Sequence, residues 1–253
     1  MKEHYQKIIK ELEFFRYQKD IIEVFKDLLC VMAMRTAIHF ESENKQKQRQ
    51  KTIKDTLGKY DAKGKAQMDV LHNLVVEMLK ESANDFGDHL GNIYMSIVPK
   101  ARAKNFGQFF TPYHLSVFMA ETNLGNCQEE VKAKGVIKIN DPCVGAGGML
   151  VAAVEVLHKQ GINYLQYAEF WGNDIDLTCC YMAYLQLAFL GTAAVIEHKN
   201  TITQETWDVF VTPGFYLRDL RIVTEEEQKL LTALRTVDAC FKFGECELNR
   251  KKA

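Results

Sequence analysis

The stretch "INDPCVGAGGMLVAAVEVL", residues 139–157, contains the pattern that decides the fold of this chain. An apolar run ends at Asp141, glycines follow at Gly145, Gly147 and Gly148, and a long Ala-rich apolar segment begins directly after them. A strand that leads through a glycine-rich loop into a helix is the arrangement with which several α/β folds bind nucleotide-type cofactors. The sequence therefore predicts a cofactor site at this loop.

Short apolar runs alternate with helical patterns around the loop. The predicted strands cover 135–140, 167–174, 192–198 and 206–212, and the predicted helices cover 148–161 and 176–191. Asp176 stands where the second helix should begin, and Gly161 and Gly191 stand where the two helices should end. Strands that alternate with helices are typical of a parallel sheet with helical crossovers. We therefore predict an α/β fold with a mostly parallel, Rossmann-like sheet.

The first hundred residues have a different texture. Apolar residues recur at spacings near three and four over 5–40 and 67–83, which predicts amphipathic helices, and 84–98 resembles a turn followed by a short helix. Near the other end, a capping box predicts a helix over 224–240. We divide the chain into a helical N-terminal region, 1–104, and a second region, 105–253.

Composition is that of an ordinary globular protein, with 47% apolar and 26% charged residues among 253. The formal net charge is −1, so any contact with nucleic acid needs a local basic patch. Residues 41–66 are polar and mostly basic. They are either a solvated loop or helix end, or a phosphate-contacting patch that includes Lys47, Arg49 and Lys51.

Cysteine usage and the N-terminus bear on compartment. The seven cysteines include no CxxC pair, which argues against a structural zinc site and a disulfide framework, and we expect no metal. The N-terminus is charged throughout and does not resemble a signal peptide. No apolar run reaches membrane-spanning length, so we expect a cytoplasmic protein without a membrane partner.

Three kinds of glycine loop compete for this sequence. A P-loop requires a Lys followed by Ser or Thr after the glycines, and neither is present. A dinucleotide fingerprint requires a third glycine, but Leu150 occupies that place after Gly145 and Gly147. The third kind binds S-adenosylmethionine, which has no phosphates and instead carries a charged amino-acid end, a sulfonium, a ribose and an adenine.

A loop for S-adenosylmethionine needs an acid at the end of the first strand for the amino-acid end, and glycines that let the backbone approach closely. It also needs a second acid at the end of the next strand for the ribose hydroxyls, as dinucleotide folds do. Asp141 and Asp174 occupy these two places, and Ile175 beside Asp174 is suited to pack on an adenine face.

Three segments together resemble the amino-adenine (N6) DNA methyltransferases, most closely the modification subunit of type I restriction systems. They are "FGQFFTP" (106–112), "NDPCVGAGGML" (140–150) and "WGNDID" (171–176), and the likeness covers 105–212. The resemblance implies methyl transfer from S-adenosylmethionine to adenine in DNA, within restriction-modification, with a possible partner subunit for sequence recognition. The cofactor contacts expected from the resemblance and the loop pattern are Gln108, Phe109, Phe110, Thr111, Pro112, Asp141, Gly145, Ala146, Gly147, Asp174, Ile175 and Asn200.

The catalytic motif of that family, [DNS]PP[YFW], has only a degenerate counterpart here. Thr212-Pro213-Gly214-Phe215 follows the fourth predicted strand, so the resemblance implies catalytic roles for Thr212, Pro213 and Phe215. Pro213-Gly214 also has the composition of an ordinary turn. Separately, we expect the sheet of this fold to be incomplete, because only four strands are predicted. Two functions therefore stay open: a DNA adenine-N6 methyltransferase, or a catalytically inactive S-adenosylmethionine-binding or DNA-associated module of the same fold. A methyltransferase for another substrate is less favoured, because "GQFFTP" resembles DNA enzymes.

Overall fold

The computed structural model describes residues 1–98 and 110–218. Gln108 and Phe109, the expected boundary at residue 104 and the predicted helix over 224–240 lie outside the described residues.

The N-terminal region is helical, as predicted. Its helices are α1 (Lys2–Leu12), α2 (Ile21–Ala37), α3 (Glu43–Gly58), α4 (Ala62–Glu81) and α5 (His89–Ile97), with single 3-10 turns at Glu13–Phe15 and Ile38–Phe40. Asp20 begins α2 by accepting a hydrogen bond from Ile22 N at 2.9 Å. Most of the α2 side chains are buried, so this helix forms the centre of the region.

The basic segment 41–66 contains a full helix, α3, of 16 residues, which the prediction of a loop or helix end missed. Its polar composition hides the face that packs inward, because Arg49 and Thr56 are the buried residues on that helix. Because the inward face of this helix carries an arginine and a threonine, its sequence lacks the apolar periodicity from which an amphipathic helix is predicted.

The second region alternates helices and strands. It contains α6 (Tyr113–Leu124), α7 (Cys127–Lys134), β1 (Ile137–Asp141), α8 (Gly148–Lys159), α9 (Tyr164–Tyr167), β2 (Ala168–Asp174), α10 (Leu177–Phe189), β3 (Ala193–Lys199), β4 (Thr206–Val211) and α11 (Pro213–Arg218). The helix ends predicted at Gly161 and Gly191 and the helix start predicted at Asp176 are found in the structure. Gly161 and Gly191 adopt φ of 72° and 73°, and Asp176 accepts from Thr178 N at 2.7 Å.

The described strands form one sheet in the order β1-β2-β3-β4. The first three are parallel, so their carboxyl ends meet at one edge, which confirms the predicted mostly parallel sheet. β4 is antiparallel to β3 and places Val211 opposite Val195. The hairpin between them is closed by Asn200, whose side-chain oxygen accepts from Ile202 N at 2.9 Å and from Thr203 N at 3.1 Å.

One continuous core joins the two regions. Leu28 of α2 and Leu185 of α10 are both fully buried in it, and α2 packs directly against α10. Among the described residues, no helix combines the length and apolar character needed to cross a membrane.

Candidate cofactor site

The glycine loop lies at the edge where the parallel strands end. Gly145 N donates to Asp174 Oδ2 at 2.9 Å, so the second acid holds the loop directly. Gly147 has a φ of 97°, and a Cβ on it would stand 3.0 Å from the Cα of Ala183. Only glycine combines this backbone conformation with so close an approach to α10.

Asp141 is the last residue of β1 and points into the same edge. Its Oδ1 accepts from Cys143 N at 3.0 Å. Burial raises the pKa of Asp141, and the charge of Asp174 raises it further. A cationic group placed between the two carboxylates would relieve both effects.

A pocket opens between this edge and the start of α6. Of the predicted cofactor residues, those that line it are Phe110, Thr111, Asp141, Gly145 and Ala146. The ring of Phe110 lies 3.3 Å from the position of a Cβ on Gly145, so the ring covers the loop only because that residue is glycine.

The remaining described candidates lie outside the pocket lining. Asp174 does not line the pocket itself but accepts a hydrogen bond from Gly145, which does. Ile175, next to Asp174, is 63% exposed, and Gly147 faces α10. Pro112 begins α6 as its N-cap residue. The side-chain oxygen of Asn200 is used within its own hairpin.

Three buried residues shape the pocket although sequence reasoning did not select them. Gln186 Nε2 donates to Ala146 O at 2.6 Å and to Asp88 Oδ1 at 3.0 Å, and so ties the loop to α5. Asp88 and Ser116 line the pocket. A glutamine inside the apolar α10 pattern is a usable signal. Asp88 has no such signal beyond a residue type that is common at helix N-caps, and Ser116 has none.

The charge of the pocket suits S-adenosylmethionine. Among the described lining residues there are two carboxylates, Asp88 and Asp141, and no lysine, arginine or histidine. Such a lining favours a cationic ligand over a phosphate. When bound, S-adenosylmethionine supplies an electrophilic methyl group. Within the part of the chain that the structure describes, no group of side chains could hold a metal ion.

Thr212 has a structural position. It is fully buried, its Oγ1 donates to Thr192 O at 2.6 Å, and the same oxygen accepts from Ala194 N at 2.8 Å. The hydroxyl therefore fastens the end of β4 to the beginning of β3.

The rest of the degenerate motif also lies away from the loop. Pro213 and Gly214 begin α11 instead of forming a turn, and a Cβ on Gly214 would meet Gly191 O at 2.3 Å. Phe215 packs edge-on against Trp171, with ring centroids 6.2 Å apart.

The direction of β4 explains this position. Because β4 is antiparallel, its carboxyl end reaches the edge where β3 begins, opposite the glycine loop. Three strand spacings of about 4.8 Å also separate β4 from β1. The structure therefore does not bring Thr212, Pro213 and Phe215, for which catalytic roles are predicted, to the edge of the sheet where the glycine loop lies.

The position of Arg49 does not fit the role in DNA binding that is predicted for it. It is 4% exposed, and its guanidinium pairs with Glu41 at 2.8 Å and with both carboxylate oxygens of Asp208 on β4. These carboxylates raise the pKa of Arg49 despite its burial. A guanidinium engaged in this way is not available to a phosphate. Lys47 and Lys51 are exposed on the same helix, and Lys47 lies 3.8 Å from Glu43.

Comparison with known proteins places the chain in a family. No curated protein matches it in sequence. A solved structure from Listeria monocytogenes, assigned to the class I S-adenosylmethionine-dependent methyltransferases, is similar with a TM-score of 0.37 and 12% identity. The similarity covers 80% of this chain and 55% of that one, so the chain spans about half the length of that protein. The family described as N-6 DNA Methylase matches residues 85–223, which is more than half of the sequence. The chain belongs to the N-6 DNA methylase family, whose cofactor is S-adenosylmethionine.

Proposed function

We propose that this protein binds S-adenosylmethionine at the edge formed by β1 and β2 and supplies the cofactor-binding part of a DNA adenine-N6 methyltransferase. The observation that carries the proposal is the hydrogen bond between Gly145 and Asp174, which joins the glycine loop to the second acid beneath Phe110. The family match supports the same reaction class.

Each part of the cofactor has a proposed partner. The ribose hydroxyls bind Asp174, the adenine packs on Ile175 near Asn200, and the amino-acid end lies beside Asp141. Phe110, Thr111 and Pro112 cover the loop, with Gln108 and Phe109 before them in sequence. The backbone of Gly145, Ala146 and Gly147 approaches the ligand closely.

The methyl acceptor needs groups that Thr212, Pro213 and Phe215 do not supply at this edge. An adenine amine must be held in line with the sulfonium methyl, and its protons must be accepted by nearby oxygens. Because the segment 212–218 lies at the opposite edge, we propose that these groups come from outside residues 206–218 or from a partner subunit. This organisation suits a modification subunit that acts within restriction-modification in the cytoplasm.

DNA contact is proposed for the exposed face of α3. Lys47 and Lys51 are on that face, whereas Arg49 points inward. Reversing both lysine charges should weaken DNA binding and reduce the dependence of affinity on salt by about two phosphate contacts. An unchanged affinity and salt slope would exclude this face.

Calorimetric titration with S-adenosylmethionine tests the cofactor proposal. Gly145→Ala places a methyl group 3.3 Å from the Phe110 ring and should reduce affinity by about tenfold or more. Gly125→Ala is the matched control, because Gly125 has a φ of 51° against 53° for Gly145 and nothing within 4 Å. If the native protein shows no heat of binding at millimolar ligand, the proposal fails.

A second function is favoured by the position of Thr212 and Phe215. A module that binds S-adenosylmethionine and associates with DNA without transferring the methyl group would use the same loop. Mass spectrometric detection of N6-methyladenine in duplex DNA separates the two functions. Sustained transfer supports the enzyme, whereas ligand-dependent DNA binding without transfer supports the module.

A further inference from the structure

Asp88 forms a wall of the pocket that the family resemblance did not point to. It is 5% exposed, stands at the N-cap of α5, and its Oδ1 accepts from Gly91 N at 3.0 Å and from Gln186 Nε2 at 3.0 Å. Both hydrogen bonds use the same oxygen. The side chain is therefore fixed in orientation while Oδ2 receives no hydrogen bond from a described residue.

The free oxygen of Asp88 faces the glycine loop. Asp88 Oδ2 lies 3.3 Å from the position of a Cβ on Gly148, the first residue of α8. Burial raises the pKa of Asp88, while Gln186 and Gly91 oppose that shift through their hydrogen bonds. A buried carboxylate of this kind gains most from a cationic hydrogen-bond donor.

Ser116 provides a second and independent observation. It is fully buried on α6 and lines the same pocket, and its Oγ has no hydrogen-bond partner among the described residues. A buried hydroxyl without a partner is unfavourable, because it has given up its hydrogen bonds to water and gained none in return. The hydroxyl is therefore poised to bond to a ligand.

Helix α8 contributes donors at the same place. Its N-cap is Gly147, and no side chain caps it. The first amides of a helix are directed out of its N-terminus and attract carboxylates. A ligand with an ammonium and a carboxylate on one carbon would satisfy Asp88, Ser116 and these amides together.

We propose that Asp88 and Ser116 bind the amino-acid end of S-adenosylmethionine. The carboxylate of Asp88 accepts from the α-ammonium, and the hydroxyl of Ser116 donates to the α-carboxylate. Asp174 holds the loop from the side of the sheet. Asp88 and Ser116 belong to the starts of α5 and α6 on the other side, so the ligand lies between the sheet and these two helices. This inference rests on the proposed function and makes Asp88 a second acid beside Asp141.

Two ligands and two variants test the inference. S-adenosylhomocysteine carries the amino-acid end, and 5′-methylthioadenosine lacks it. Asp88→Asn keeps a good helix cap and an acceptor for Gly91 but loses the charge. We expect it to weaken S-adenosylhomocysteine by about ten- to a hundredfold and to leave 5′-methylthioadenosine within about twofold.

Ser116→Ala separates a ligand role from a structural one. Removing an unpartnered buried hydroxyl should leave the melting temperature unchanged or higher. The same change should weaken S-adenosylhomocysteine by about three- to tenfold. A structural role would instead lower stability and affinity together. This variant also keeps the inference testable if Asp88→Asn fails to fold.

Asp85→Asn is the matched control, because Asp85 precedes α5, is 63% exposed and lies outside the pocket lining. It should leave both affinities unchanged. The inference is overturned if Asp88→Asn and Ser116→Ala bind S-adenosylhomocysteine as the native protein does, or if they weaken both ligands equally. If the native protein binds neither S-adenosylmethionine nor S-adenosylhomocysteine, the proposed function fails as well.

Discussion

Two segments of this protein each follow a strand of the same sheet, and only one of them reaches the cofactor edge. The glycine loop follows β1, which is parallel to its neighbour, and it meets Asp174 at that edge. The segment that begins at Thr212 follows β4, which is antiparallel, and it meets Thr192 and Ala194 at the other edge. The direction of a strand therefore decides what the residues after it can do.

The largest expected effect comes from breaking the contact that holds β4. Arg49→Met leaves the carboxylates of Glu41 and Asp208 without their buried partner. Removing one partner of such a pair costs about 3–5 kcal/mol. Urea denaturation should show this loss, and Lys51→Met on the exposed face should change stability by less than about 0.5 kcal/mol. Equal effects of the two substitutions would contradict the buried pairing.

Thr212→Val tests whether Thr212 is structural. The substitution keeps the volume but leaves Ala194 N and Thr192 O without their hydroxyl partner, at a cost of about 2 kcal/mol. Affinity for S-adenosylmethionine should not change, because the side chain lies at the other edge. Lost methyl transfer at full stability would restore the catalytic role of this residue.

Asp174→Ala tests the other end of the sheet, where we expect a loss of affinity for S-adenosylmethionine. It removes the acceptor of Gly145 N and the proposed ribose partner, so affinity should fall by about tenfold or more, which corresponds to about 1.4 kcal/mol. Calorimetric titration compares the affinity of Asp174→Ala for S-adenosylmethionine with the affinities of the native protein and of Thr212→Val. Thr212→Val should lose stability only, and a common pattern in both variants would remove the distinction between the two edges.

The smallest expected effect concerns pH. Because the pKa of Asp141 is raised in the folded protein, its carboxyl stays protonated over a range above the ordinary value of 3.8. Stability from this group therefore falls as pH rises through that range, while affinity for the cationic ligand rises.

Titrations from about pH 4 to about pH 6.5, where the α-ammonium of the ligand stays protonated, should show a few-fold increase in affinity for S-adenosylmethionine. Asp141→Asn should reduce this increase, and adding Asp88→Asn should remove it. An affinity independent of pH in the native protein would exclude a carboxylate as the partner of the ammonium.

Much of the fold could be predicted because its signals are local. The glycines after α8 and α10, the cap at Asp176 and the acid at Asp174 are each recognisable within a few residues. These signals located the loop, the mostly parallel sheet and the acid that holds the loop.

What the sequence could not predict depends on contacts between distant segments. An alternating apolar pattern has no direction, so nothing in 206–211 indicated that β4 would turn back along β3. Arg49 lies in a polar run, and its burial depends on Asp208, which is far away in sequence. Asp88 and Ser116 acquire a shared surface only when α5 and α6 pack beside the loop.

The amide of Gln186 has a consequence for any attempt to shorten this protein. That single side chain joins Ala146 of the loop, the carboxylate of Asp88 and the backbone N–H of Leu90. A fragment cut at residue 104 would leave the amide with the loop alone and would expose the α10 surface that α2 covers. The smallest unit that keeps the glycine loop in these contacts therefore begins well upstream of the loop and includes helices that precede it.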